Sequence, residues 1–142
     1  MAYTWITATN GSIPEGAAVN GHEQDGRPLF VCRAFLNEGL HPGKVRPEFG
    51  AANIPFGGRE VKVGTYQVLM NPGRWVAASG GLIPEDAVVA GHEADGEPLF
   101  VARAIFQGGL HPGKVRLAFK AANVGFANKE QKAFQYEVLV DD

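Results

Sequence analysis

The chain has 142 residues, 45% of them hydrophobic and 20% charged, with a formal net charge of −2. These values exclude a globally basic binder of nucleic acid or anionic membrane, and they exclude a disordered chain. One cysteine, Cys32, excludes an intramolecular disulfide, so the fold stands on its core alone. The length suits one ordinary domain or two very small ones.

The N-terminal stretch MAYTWITATN lacks the basic start and apolar run of a secretion signal, and no apolar run is long enough to span a membrane. The expected compartment is the cytoplasm, with unconventional secretion left open. Tyr3 to Thr9 reads as a strand closed by Asn10-Gly11. Asp25-Gly26 lies between strand-like runs and reads as a hairpin turn. Leu29 to Leu36 is apolar on both faces except at Arg33, the pattern of a central strand, and a buried inert thiol is expected for Cys32 within it. A buried guanidinium at Arg33 or Arg103 requires a partner, and Glu60 or Glu130 is a candidate. His41-Pro42-Gly43-Lys44 suits a type II turn, with Pro second and Gly third. Ala51-Ala52-Asn53 can start a short helix that Pro55 and Gly57 cut off. Val61 to Val63 and Tyr66 to Leu69 read as a further strand pair around Gly64.

Met70 to Arg74 forms a turn-like junction, after which the sequence repeats at a shift of about 70 residues. Trp5 meets Trp75, Gly21-His22-Glu23 meets Gly91-His92-Glu93, Asp25-Gly26 meets Asp95-Gly96, and GLHPGKVR at 39–46 returns unchanged at 109–116. About 37 of 65 aligned positions are identical. An identical run of eight is unremarkable at that level, so the positions that changed say more. Arg27 becomes Glu97, Glu38 becomes Gly108, Glu48 becomes Ala118 and Gly50 becomes Lys120, whereas every His, Glu, Asp, Lys and Arg of the two motifs is kept. Two such units are too few for a solenoid, and each alone buries little surface. The expectation is one all-β domain over 1–142. It is a β-sandwich of about ten short strands, built from two tandem repeats (about 3–70 and 73–140) around a pseudo-twofold axis.

Two constellations carry chemistry. His22, Glu23 and Asp25, with their twins His92, Glu93 and Asp95, place carboxylates on or beside a tight turn. Lys44 and Lys114 offer donors, with His41, His111 and Arg46 beside them. Acceptors and donors on rigid turns suit a polyhydroxylated ligand: a carboxylate accepts from two vicinal hydroxyls and an ammonium donates to both oxygens. Two equivalent sites add avidity on a multivalent glycan. The competing reading is structural: Glu23–Lys44 as a surface ion pair of at most about 1 kcal/mol, Asp25 and Asp95 serving their turns, Trp5 and Trp75 in the core. No nucleophile elbow, Cys–His pair, H-E-x-x-H, phosphate loop or metal-ligand spacing occurs, so neither an enzyme nor a cofactor is expected.

The pattern Asp25-Gly26-Arg27-Pro28-Leu29-Phe30-Val31-Cys32-Arg33-Ala34, then Gly39-Leu40-His41-Pro42-Gly43-Lys44-Val45, then Glu60 and Tyr66-Gln67-Val68-Leu69 resembles the DM9 repeat. The second copy matches as well. The resemblance covers essentially the whole chain and implies a β-sandwich lectin of the kind found in bivalve molluscs. Such a protein binds mannose and mannosylated microbial glycans without calcium, serves innate recognition, and is a homodimer. It implies that Glu23 with Lys44, and Glu93 with Lys114, hold sugar hydroxyls. Where the family pattern carries Asp, this chain has Glu23, one methylene longer. The alternative is a non-catalytic structural or protein-interaction domain whose identical turns hold the halves together.

Overall fold

The computed structural model describes residues 2–141. These residues hold fourteen strands and two 3-10 turns (Pro47–Phe49 and Leu117–Phe119), with no α-helix among them. The first repeat contributes β1 (Trp5–Thr9), β2 (Gly21–His22), β3 (Pro28–Leu36), β4 (Gly39–Val45), β5 (Ala52–Phe56), β6 (Arg59–Val63) and β7 (Thr65–Leu69). The second contributes β8 (Arg74–Ser79), β9 (Val89–His92), β10 (Pro98–Phe106), β11 (Gly109–Val115), β12 (Ala122–Phe126), β13 (Lys129–Ala133) and β14 (Gln135–Val140). The all-β expectation is met, with more strands than the ten foreseen.

The strands form one hydrogen-bonded sheet in the order β1-β7-β3-β2-β11-β12-β13-β6-β5-β4-β9-β10-β14-β8. Because β11 also pairs with β10, the ladder closes into an eight-strand circuit through β4, β5, β6, β13, β12, β11, β10 and β9. The expected two-sheet sandwich is thus replaced by a sheet that closes on itself and leaves β1 and β8 as outer strands. Three strand pairings join the halves: Leu40 with His92, Leu110 with His22, and Lys129 with Arg59. The first two use two- and four-residue strands that carry no readable period in the sequence.

The both-faced apolar run of β3 has its reason in the core. Phe30, Cys32 and Ala34 face a cluster within the first repeat, with Ile54, Tyr66 and Val68. Val31 faces the other way, into a shared cluster with Leu69, Ala90, Val101 and Leu139. The second repeat has its own cluster around Ala102, Val124 and Val138. Cys32 is buried, and burial pushes its thiol far above the ordinary range. It is expected to stay unreactive toward a thiol reagent at pH 8 in the native protein and to react stoichiometrically once denaturant is added.

Several local expectations change. GLHPGKVR is not a turn: its first seven residues are β4 and β11. The turn comes two residues earlier. Asn37 and Glu38 both have positive φ (48° and 66°), the geometry of a two-residue hairpin loop. Asn-Glu is a weak signature for that turn, whereas Pro-Gly is a strong one, so the sequence points to the wrong place. Pro42 is tolerated in a strand because the β4–β9 ladder pairs only Leu40 with His92 and β4 next pairs outward at Lys44 with Asn53. Ala51-Ala52-Asn53 leads into strand β5 rather than a helix, and β6 and β7 do not pair with each other. The Asp25-Gly26 turn forms as expected, with Gly26 at φ 92° and its amide donating to the Glu23 carbonyl at 3.0 Å.

Candidate functional site

The octapeptide explains itself residue by residue once it is a strand. Gly39 leaves room for the His41 ring: a Cβ there would lie 2.6 Å from Nε2. Gly43 admits the Asn53 carbonyl of β5, which a Cβ would overlap. Val45 is core. The side chains of His41 and Lys44 point inward, and both are buried: His41 is 0% and Lys44 3% exposed.

Their partners come from the opposite repeat. Lys44 Nζ donates to His111 Nδ1 at 2.9 Å, and Lys114 Nζ donates to His41 Nδ1 at 3.0 Å. An imidazole that accepts at Nδ1 carries its proton on Nε2, so both rings are neutral. Burial, with the facing lysine, holds both histidines well below their usual range, at about 4. Each Nε2 lacks a hydrogen-bond partner. The expectation of His41 and His111 as loop-borne donors to a ligand is therefore corrected: they are interior acceptors for lysine. Burial also lowers both lysines, Lys114 to about 8, against the opposing pull of Glu60 and Glu23 on Lys44, and of Glu130 and Glu93 on Lys114. Glu60 Oε2 stands 3.9 Å from Lys44 Nζ.

Glu60 and Glu130 do not serve Arg33 and Arg103. They cross the pseudo-twofold axis: Asn128 N donates to Glu60 at 2.9 Å, and Gly58 N donates to Glu130 at 3.0 Å. Arg33 instead donates to Gln67 and to the Ala90 carbonyl while stacking on Trp5 at 4.1 Å. Arg103 pairs with Glu137 and stacks on Trp75 at 4.2 Å. Both tryptophans pack against the shared core. A groove of about 430 Å³ beside Arg103 is thus lined by a guanidinium that already donates from Nε to Glu137 and from Nη1 to the Asn20 carbonyl.

The turn residues lie at the mouth of this arrangement. Glu23 Oε2 accepts from Arg46 Nε at 2.8 Å, and Arg46 also donates to Glu48 at 2.7 Å. The twin is Glu93 in ion contact with Arg116 at 2.8 Å, with Glu97 as the second carboxylate. Arg46 and Arg116 stack on Phe49 and Phe119. Asp25 accepts from the Arg27 backbone and side chain, and that backbone bond holds its carboxyl below the usual range. Asp95 accepts from the Glu97 amide at 2.9 Å. Both aspartates hold their own turns. His22 and His92 donate from Nδ1 to the carbonyl of the next residue, Glu23 and Glu93, at 2.9 Å.

A cleft of about 290 Å³ opens here, lined by Glu23, Gln24, Asp25 and Arg27 from the first repeat and by Gln107 and Phe126 from the second. Behind it stands the Lys44 ammonium, 6.0 Å from the Phe126 ring. The cleft therefore straddles the repeats. Gln107, Phe126 and the orienting role of Arg46 escape sequence reasoning, because nothing in the spacing shows that the second repeat's hairpin folds over the first repeat's turn.

The DM9 repeat model matches residues 1–63 and 23–133 of the chain. The chain belongs to the DM9 repeat family. Among solved structures, the nematode sperm cell motility protein MFP2B is similar to this DM9 protein, with a TM-score of 0.69 and 16% sequence identity. The match covers 98% of this chain and 46% of that one. At that identity the likeness is one of fold, and the chain spans less than half of the neighbour's length. No curated protein matches the sequence. Among the described residues no helix is long and apolar enough to cross a membrane, and no group of three or more His, Cys, Asp and Glu side chains is placed to hold a metal ion.

Proposed function

We propose that this DM9 protein is a non-catalytic, calcium-independent lectin for mannose and mannose-containing microbial glycans, acting in innate recognition as a homodimer. The observation that carries the reading is that, at two pseudo-equivalent places, a glutamate held by an arginine lies near enough to a buried, incompletely bonded lysine to act on its charge. An ammonium has three protons; Lys44 spends one on His111 and finds a carboxylate only at 3.9 Å. Arg46 holds Glu23 through one oxygen, leaving the other for a sugar hydroxyl. The Glu23 cleft has aromatic, acceptor and donor groups side by side, the mix a hexose requires, and the Glu93 turn has the corresponding groups in Phe56, Lys114 and Arg116. Desolvation costs keep the affinity of one site modest, roughly millimolar to micromolar.

Calorimetric titration with D-mannose, with a chelator present and D-galactose as control, is expected to give heat for mannose at about two sites per chain. Glu23→Ala with Glu93→Ala is expected to abolish that heat and retention on mannan. The fold should survive, because Arg46 keeps Glu48 and Arg116 keeps Glu97. Absence of mannose heat in the unaltered protein would sink the lectin reading.

A second reading has its own observation. The two lysine–histidine bonds each join one repeat to the other, so the octapeptide also serves as a structural clasp. In that reading the double glutamate variant changes nothing but a surface.

A further inference from the structure

The Glu93 turn repeats the backbone of the Glu23 turn, Glu93 N donating to Glu97 O as Glu23 N does to Arg27 O, and the clefts at these two turns differ in charge. In the first, Arg27 lines the cleft, half exposed (51%), with Asp25 engaging its Nε at 2.8 Å. In the second, the same position is Glu97, 2.8 Å from Arg116. The corner supplied by the opposite repeat differs too. Gln24 packs against the Gln107-Gly108 turn, where a Cβ on Gly108 would lie 3.0 Å from Gln24 Cγ. In the twin corner Gly39, the residue after the Asn37-Glu38 turn, lies beside Ala94: a Cβ there would be 3.3 Å from the Ala94 amide. Finally, Glu48 on Arg46 has become Ala118.

The first cleft therefore sets the carboxylates of Glu23, Asp25 and Glu48 against the guanidiniums of Arg27 and Arg46. The second sets Glu38, Glu93, Asp95 and Glu97 against Arg116 alone. The lysine–glutamate pairs behind them, Lys44 with Glu60 and Lys114 with Glu130, cancel in both.

Resting on the glycan-binding reading above, we propose that the clefts divide their ligands by charge: the Arg27 cleft takes neutral and carboxylated hexoses, and the Glu97 cleft takes neutral hexoses and rejects carboxylated ones. The neutral parts of recognition, Glu23 with Lys44 and Glu93 with Lys114, are common to both, so a neutral sugar meets the same groups twice. A carboxylated sugar meets a field that differs by two formal charges. One unit charge at roughly 7 Å in a water-like medium changes affinity about threefold, so the two clefts should differ roughly tenfold at low salt. The difference should shrink in about 0.5 M NaCl, where screening shortens the reach of each charge.

Amide NMR titrations of the intact protein separate the clefts, because Gly26 and Gly96 report on one turn each. D-Mannose is expected to move both signals with similar midpoints. D-Mannuronate is expected to move Gly26 at roughly tenfold lower concentration than Gly96. The paired change Arg27→Glu with Glu97→Arg is expected to exchange the two mannuronate midpoints. The single change Glu97→Gln should lower the Gly96 midpoint without touching Gly26. Equal mannuronate midpoints in the unaltered protein, or midpoints indifferent to these changes, would overturn the division while the mannose response keeps the lectin reading intact. Failure of D-mannose to move either signal would overturn the lectin reading, and the division with it.

Discussion

Acidification from pH 7 to pH 4 is expected to remove several kcal/mol of folding stability before most carboxylates titrate. His41 and His111 are buried, neutral, and accept from the ammonium of the other repeat's lysine. Their folded values lie at about 4, whereas an unfolded histidine titrates near 6.5. Between about 6.5 and 4 the unfolded chain binds protons that the folded chain refuses, so stability is whole above that window and is lost as pH falls through it. Each histidine contributes up to about 3 kcal/mol of loss, a large share of an ordinary domain's total. Protonation also places two cations within 3.0 Å of each other across the junction of the repeats, so the halves should separate as they unfold. Lys114 adds a slope of the same sign on the alkaline side. Its folded value of about 8 lies below the ordinary 10.5, so stability should rise with pH between those values. Urea unfolding midpoints at half-unit steps from pH 4 to pH 10 check both arms. In His41→Gln with His111→Gln the slope between pH 6.5 and pH 4.5 should flatten; an unchanged slope would show that other groups carry it.

Gly91→Ala is expected to destabilise the protein by about 3 kcal/mol or more, although it adds one methyl group. Gly91 lies on β9 in extended backbone, so the cost is not one of φ. The added Cβ would overlap the Leu40 carbonyl oxygen and lie 3.0 Å from its carbon and 3.4 Å from Pro42 Cδ. The obstructing atoms are backbone of β4, the strand whose pairing of Leu40 with His92 joins the repeats. Relief requires the two strands to part, with loss of the bonds that close the sheet. Gly21→Ala should behave alike, since its Cβ would meet the Leu110 carbonyl at 2.5 Å. Gly64→Ala is the control: its nearest neighbour is Asn10 Oδ1 at 3.6 Å, and the change should stay within about 0.5 kcal/mol. Chemical denaturation of the three variants at pH 7.5 makes the comparison.

These two predictions turn on contacts between repeats, and that is where sequence reasoning stops. Apolar spacing was enough to read β1, β3 and β7, because a strand buried on both faces or alternating along one writes its environment into its own side chains. The Asp25-Gly26 turn, the duplication and the family could be read for the same reason: each is a property of neighbouring letters or of a fixed shift. GLHPGKVR was misread as a turn because Pro and Gly have two uses in proteins. They set turns, and they also permit close approach of other backbone, which depends on what lies across the sheet. Gly43 and Gly91 belong to the second use.

The candidate site divides the same way. The residues Glu23, Lys44, Glu93 and Lys114 could be named from the chain alone, because carboxylate and ammonium are the groups that bind hydroxyls. That Lys44 answers to His111, that Phe126 and Gln107 close the cleft over Glu23, and that His41 is an interior acceptor could not. Those facts follow from long-range pairings such as Leu110 with His22, formed by strands too short to carry a period. The sequence by itself determined the strand class, the twofold repetition and the chemistry on offer. Only the tertiary structure decided which copy each group faces, because that choice is made by burial and hydrogen bonding between segments some seventy residues apart.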